Sequence, residues 1–281
     1  MITTLFLVWT FILGAVVGSF LNVVILRTEK GVPPTGRSQC PHCNTTLTWK
    51  ELIPVLSYAF QRGKCRTCGT PLSLQYPLVE LLTATLFALV GYTMLATGTL
   101  TLELYQAPTL ALGVALSIFA LHLVIWSLFT VITVYDLRTK LIPDLFSFTL
   151  IGAALLLMVV SGNVSIAWLI AGPLFYVPYW VLWRVSEGRW IGLGDAKLSW
   201  GIAWFLGPAL GGTAVLFAFW IGAICSLSLI GIQRLTEARA RSKNGNALTL
   251  KSEVPFGPYL VLGAFIVYLT HFDLFGYLLV Y

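Results

Sequence analysis

The sequence predicts an all-α polytopic membrane protein, about eight transmembrane helices with a small cytoplasmic domain after the first. Three observations carry this. Of 281 residues, 58% are hydrophobic and only 10% are charged, against about 25% charged in an ordinary soluble domain. A soluble fold of this length would lack the polar residues to cover its surface. The apolar residues gather in runs of crossing length, about 20 residues each, and the basic residues fall on one side of the map those runs define. The composition argues against a soluble enzyme, a disordered chain and a secreted disulfide scaffold.

The first apolar run, Leu5 to Leu26, has no Lys or Arg before it, and positive charge arrives only at Arg27 and Lys30. It therefore reads as an uncleaved helix with its N-terminus outside, not as a signal peptide. Seven further runs follow, near Pro77–Leu95, Thr109–Tyr135, Leu145–Val160, Ile166–Trp183, Ala196–Leu210, Thr213–Ile232 and Gly257–Tyr281. Only Gly207-Pro208 and Gly211-Gly212 divide the sixth helix from the seventh, so a re-entrant or broken pair is the alternative there. With eight crossings, all 17 Lys and Arg fall in inside loops or at their helix edges. Arg27, Lys30, Arg37, Lys50, Arg62, Lys64 and Arg66 lie in the first. Arg138 and Lys140 mark the second, and Arg184, Arg189 and Lys197 the third. Arg234, Arg239, Arg241, Lys243 and Lys251 belong to the fourth. The outside segments keep acids such as Glu103 and Asp273. This is the positive-inside pattern, with both termini outside. The net charge of +6 is thereby a topology signal; the bases form no nucleic-acid-binding arm.

Three domains follow: 1–26 as the first helix, 27–76 as a cytoplasmic domain, and 77–281 as a seven-helix core with a cytoplasmic loop at 234–253. No internal repeat or low-complexity tract is evident. The 27–76 domain carries Cys40-Pro41-His42-Cys43 and Cys65-Arg66-Thr67-Cys68. Two C-x-x-C knuckles at this separation match a four-cysteine zinc site, since each turn delivers two thiolates to one side of a tetrahedral metal. About 50 residues without a sizeable core need such a staple. Disulfides do not suit a loop facing the reducing cytosol. A closed four-cysteine site is structural, not catalytic, and His42, between a pair, reads as a surface residue. Four unrelated buried thiols are the plain alternative.

Acids at the inner bilayer edge form the second constellation. Asp136 ends the third helix and Asp195 opens the sixth within Gly192-Leu193-Gly194-Asp195-Ala196-Lys197. Intramembrane acids are costly and point to function. Two adjacent carboxyls share a proton, so one can activate water while the other polarises a peptide carbonyl. Against this, Asp195 could cap its helix, Asp136 could pair with Arg138 or Lys140, and Asp144 after Pro143 reads as a simple cap. Competing chemistries are weaker. No metalloprotease, nucleophile-elbow or phosphate-loop motif occurs, and His42, His122 and His271 are scattered. His122, in mid-helix, reads as an interhelical hydrogen bonder.

The chain resembles the type 4 prepilin peptidases in six places, in order. These are Gly18-Ser19-Phe20-Leu21-Asn22-Val23-Val24-Ile25-Leu26-Arg27, the two cysteine knuckles, Tyr76-Pro77-Leu78-Val79-Glu80, the segment from Asp136 to Asp144, Gly192 to Leu198, and Pro255-Phe256-Gly257-Pro258. The resemblance implies that Asp136 and Asp195 are catalytic, with Gly192, Gly194, Lys197 and Asp144 in support. It implies removal of a short basic leader from prepilins or pseudopilins at the cytoplasmic side of the bacterial inner membrane. It also implies methylation of the new amine with S-adenosylmethionine, in the service of pili or a secretion system. The loop from Arg234 to Glu253 matches the family least. A proton- or cation-relaying transporter, or an assembly subunit docking through its zinc domain, are the competing readings.

Overall fold

A computed structural model of the chain describes residues 2–100, 109–239 and 255–280. Helix α1 covers Ile2–Glu29. The hydrophilic segment after it holds a 3-10 turn at Trp49–Glu51 and the short α2 (Leu56–Phe60). Then come α3 (Gln75–Ala96), α4 (Thr109–Thr139), α5 (Asp144–Val160), α6 (Ile166–Ser186) and α7 (Leu193–Leu206). The last are α8 (Pro208–Arg239), α9 (Gly257–Thr270) and α10 (Leu274–Val280).

The chain is a multi-pass membrane protein. Among the described residues, five helices are long and apolar enough to cross a membrane: α1, α3, Ala111–Thr139 of α4, α6, and Pro208–Leu229 of α8. The apolar α5 and α9 are shorter. Helix α7 has 14 residues, which rise only about 21 Å against a hydrocarbon core of about 30 Å. Against the eight crossings expected, five described helices have the length and composition to span.

Three expected boundaries are corrected. The sixth and seventh helices divide at Gly207-Pro208, not at Gly211-Gly212, which lies inside α8. Gly207 takes φ +86°, and Pro208 suits a first helical turn because its missing N–H would have no helical partner. Helix α8 runs on to Arg239, so the hydrophilic stretch expected from Arg234 begins inside a helix. Its remainder, residues 240–254, lies outside the described residues, as does Glu103. The final apolar run is interrupted at 271–273: His271 turns to φ +51°, and Asp273 Oδ1 accepts the Gly276 N–H at 2.9 Å.

Contacts divide the chain into two units, Met1–Val131 and Ile132–Tyr281. In the first, α1 packs along α3. Glycines make the approach possible: a Cβ at Gly14 would fall 2.6 Å from the Thr83 carbonyl oxygen, and one at Gly18 2.8 Å from Glu80 Cα. Small residues are how helices without a hydrophobic driving force come close in lipid. In the second unit, α7 packs against α5, α6, α8 and α9. Pro173 inside α6 cannot donate to the carbonyl of Leu169 one turn back, and Trp204 Nε1 of α7 donates to it instead at 3.3 Å.

Candidate active site and metal centre

Within the second unit, both expected acids are turned inward. Asp136 is 4% exposed and Asp195 8%, and their carboxyl groups are close enough to interact electrostatically. Asp136 sits near the end of α4, where Oδ2 accepts the backbone N–H of Gly257 at 3.0 Å. Gly257 is the first residue of α9, so its N–H is one of the donors a helix leaves unpaired at its start. Asp136 therefore supplies from another helix the acceptor that α9 lacks. It is not the surface partner of Arg138 or Lys140 that the sequence allowed.

Asp195 is the third residue of α7, whose N-cap is Gly192 without a side-chain capping bond. Asp195 is thus not the N-cap itself, but from the third position its carboxyl accepts the backbone N–H of Gly192. The Asp195 N–H donates to the Gly192 carbonyl at 3.2 Å, and a Cβ on Gly192 would lie 3.3 Å from Asp195 Oδ2. Ile142 packs against the starts of α7 and α9. A Cβ on Gly194 would meet Ile142 Cβ at 2.7 Å, and one on Gly257 would meet Ile142 Cδ1 at 3.2 Å and Asp136 Oδ2 at 2.7 Å. Bare backbone on both sides of Ile142 is what lets the acids approach. Sequence reasoning named Gly194 but missed the roles of Ile142 and Gly257, although both lie in segments that carried the resemblance.

Asp144 is no cap. Pro143 occupies the N-cap of α5, and Asp144 Oδ1 pairs with Lys197 Nζ at 2.5 Å. The Lys197 side chain is only 12% exposed and lies over the Phe148 ring. The pair ties the start of α5 to α7, and so holds the 140–143 turn that presents Ile142.

The candidate metal centre lies in the first unit. Sγ of Cys40, Cys43, Cys65 and Cys68 all lie within 4.8 Å of one another, and all four thiols are free of disulfides. Four sulfurs 2.3 Å from a tetrahedral zinc would stand about 3.8 Å apart; Cys40 and Cys68 stand 3.9 Å apart. The residues fit a bound metal ion. His42 is exposed, as its place between the cysteines implied.

The two knuckles share one local backbone pattern. Cys40 N–H donates to the Thr45 carbonyl and Cys65 N–H to that of Thr70; Asn44 N–H donates to Cys40 and Gly69 N–H to Cys65. Asn44 and Gly69 both take left-handed φ, +57° and +70°. The Thr45 and Thr70 hydroxyls lie 3.3 Å from Sγ of Cys43 and Cys68, and draw both thiols below the ordinary cysteine range. Backbone N–H groups of Cys68 and Thr67 do the same for Cys65. Thiolate is the metal-binding form. The shared pattern C-x-x-C-[N/G]-T-x-L was readable in the sequence, but it is too short to register as a domain repeat.

A cavity of about 320 Å³ in this unit is lined by Asn22, Lys30, Arg37, Glu51, Tyr58 and Glu80, among others. His122 places Nδ1 2.8 Å from the Ile118 carbonyl of its own helix.

Comparison with known proteins gives the family. Residues 12–94 match the bacterial peptidase A24 N-terminal domain, and residues 123–227 match the type IV leader peptidase family. The chain is similar to a prepilin leader peptidase/N-methyltransferase of Aeromonas hydrophila, 31% identical over 92% of this chain and 89% of the relative. It is equally similar to one of Bacillus subtilis, 31% identical over 92% of each. One from Myxococcus xanthus is 55% identical across 30% of this chain and 25% of the relative. No solved structure matches. The transporter reading finds no support among these relatives.

Proposed function

Because the chain belongs to the prepilin leader peptidase/N-methyltransferase family, we propose that it cleaves the leader from prepilins or pseudopilins with Asp136 and Asp195 as its catalytic pair. The observation that carries this is the burial of two carboxyls that interact electrostatically. One carboxylate takes a proton from water, whose oxygen bonds to the scissile carbonyl carbon. The other carboxyl gives its proton to the carbonyl oxygen. The C–N bond then breaks as the departing amine is protonated, leaving a leader carboxylate and a new N-terminal amine. No covalent enzyme intermediate is needed. The Gly257 N–H holds Asp136 in place, and the bare backbone of Gly194 makes room for Ile142 beside the start of α7.

Zinc suits the four thiolates and would act there as a structural staple for residues 27–76. S-adenosylmethionine, when bound, supplies a methyl group to the new amine. The cavity beside α1 and α3 has the size of a small-molecule site and the mixed polarity that donor requires. Lys30 and Arg37 could meet its carboxylate, and Glu51 or Glu80 its ribose hydroxyls. The one-sided distribution of Lys and Arg supports a bacterial inner-membrane location, with both termini periplasmic and the cysteine domain cytoplasmic. Reporter fusions near Lys50 should read cytosolic and those after Leu100 periplasmic.

The deciding experiment incubates purified full-length protein with a prepilin-like peptide, a basic leader followed by an apolar helix, and reads the product by mass. Loss of the leader supports the peptidase; a further gain of one methyl with S-adenosylmethionine supports the second activity. An intact peptide would overturn the reading.

A further inference from the structure

Spanning helices carry apolar side chains on their surface because lipid surrounds them. Helix α2 carries them too, yet it has only five residues and stands in the hydrophilic segment between α1 and α3. The Ser57 N–H donates to the Ile53 carbonyl at 3.0 Å, so the helical turn reaches back to Ile53. Ile53, Leu56, Ala59 and Phe60 are all exposed, Leu56 by 55% and Phe60 by 83%. Their spacing puts them on one face. Ser57, Tyr58 and Gln61 instead line the cavity of about 320 Å³. A water-soluble domain turns the apolar stripe of a helix inward and the polar one outward. Here the polarity is reversed, and an exposed apolar face of this kind marks a contact surface.

The level of that face follows from α3. The N–H of Val55, the N-cap of α2, donates to Glu80 Oε2 at 2.7 Å. The Tyr58 hydroxyl donates to the Leu72 carbonyl at 3.2 Å, just before α3 begins. Helix α3 has 22 residues, a rise of about 33 Å against a hydrocarbon core of about 30 Å. Glu80 lies in its second turn. The bond to Glu80 therefore keeps the start of α2 where hydrocarbon gives way to headgroups. A domain standing clear of the membrane would be out of its reach.

The flanks suit the same level. Trp49, 70% exposed, precedes the helix with Lys50 Nζ 5.5 Å from its ring centroid. Arg62, Lys64 and Arg66 follow it, all exposed. Glu51, the one acid between residues 49 and 66, is bonded to the Thr48 N–H and hydroxyl. Tryptophan and bases beside an apolar face are the composition of an interfacial segment.

We propose that α2 lies in the membrane interface, with Ile53, Leu56 and Phe60 among the acyl chains of an anionic phospholipid leaflet. Lys50, Arg62 and Lys64 then meet the headgroups. The tie to a spanning helix and the positive flanks favour lipid over a protein partner. Held this way, α2 is a wall of the cavity with lipid on its outer side.

The test places full-length protein in nanodiscs of phosphatidylcholine, with or without phosphatidylglycerol. Each carries a phospholipid with a photoreactive acyl chain, and adducts are mapped by peptide mass, with peptides of α1 and α3 as the internal standard. Residues 53–60 should be labelled, and more strongly with phosphatidylglycerol. Leu56→Ser combined with Phe60→Ser alters two exposed side chains, so the protein should fold with its Tm unchanged. Labelling of the segment should then fall at least roughly tenfold, the scale of losing two buried apolar side chains. Arg62→Gln combined with Lys64→Gln should lower it about fivefold with phosphatidylglycerol present, and less at high salt. An unlabelled segment beside labelled α1 and α3 would overturn the proposal, as would undiminished labelling in the double serine variant. A photoreactive prepilin-like peptide that labels residues 53–60 where the lipid does not would also overturn it, and give the face to a protein partner.

Discussion

Gly257 and Asp136 are 121 residues apart in sequence, yet the backbone N–H of one donates to the buried carboxylate of the other at 3.0 Å. A helix N-terminus favours a negative charge, so this bond holds Asp136 in a fixed rotamer while leaving its other oxygen uncommitted to Gly257. The same glycine leaves space for that carboxylate, since a Cβ would lie 2.7 Å from Oδ2. One residue thus donates to the acid and makes room for it.

The acids should separate by role. Asp136→Asn and Asp195→Asn should each lower leader cleavage by about 10²–10⁴-fold in protein that still inserts and folds, because an amide matches the shape but cannot exchange the proton. Asp144→Asn should cost less than about tenfold, since it weakens only the partly exposed pair with Lys197. Product formation per mole of folded enzyme checks all three. Near-normal cleavage by either of the first two would remove the pair.

Gly257→Ala should reduce cleavage although it removes no functional group. The added methyl must displace Asp136 Oδ2 or Ile142 Cδ1, and overpacking of this kind costs about 1–3 kcal/mol, roughly 10–100-fold if it falls on the reaction. Gly194→Ala, which meets Ile142 Cβ, should act in the same direction. Kinetics set beside thermal unfolding of each variant will tell misplacement of the acids from simple instability.

Residues whose chemistry is written in a local motif were legible in the sequence. The cysteine pairs declare their ligand geometry within four residues, and an acid at the end of an apolar run stands out from its neighbours. Contacts set by the far end of the chain were not. Asp144 reads as a cap because the partner that claims it, Lys197, is 53 residues away. Gly257 reads only as the start of the last apolar run until α4 is placed beside the start of α9. The end of α8 was misjudged for a different reason: charge marks where a helix leaves lipid, not where its hydrogen bonding stops.

Metal binding should hold the 27–76 domain folded. Cys40→Ser or Cys65→Ser should lower bound zinc, measured by elemental analysis, and expose the segment to limited proteolysis. Thr45→Val and Thr70→Val keep all four sulfurs but remove the hydroxyls 3.3 Å from Cys43 and Cys68. They should keep zinc yet release it to a competing chelator at roughly 10–100-fold lower chelator concentration, the usual effect of losing a group that supports a ligand. Absence of zinc from wild-type protein purified without chelator would refute the metal assignment.

Glu80 should prove to anchor that domain to α3. Its Oε2 accepts the N–H of Val55 at 2.7 Å, and Val55 takes φ +60°, a conformation that a β-branched residue adopts only when its surroundings impose it. Glu80 is itself 7% exposed, so removing it leaves a donor without its acceptor. Glu80→Ala should therefore destabilise the junction by about 1–3 kcal/mol, and Glu80→Gln, which keeps an acceptor oxygen, by less. Val55→Gly should partly offset Glu80→Ala, because glycine holds the positive φ without help. Hydrogen exchange at residues 52–60 in the single and double variants checks this. If Val55→Gly worsened the Glu80→Ala protein, the anchor would act through packing rather than by holding the strained turn.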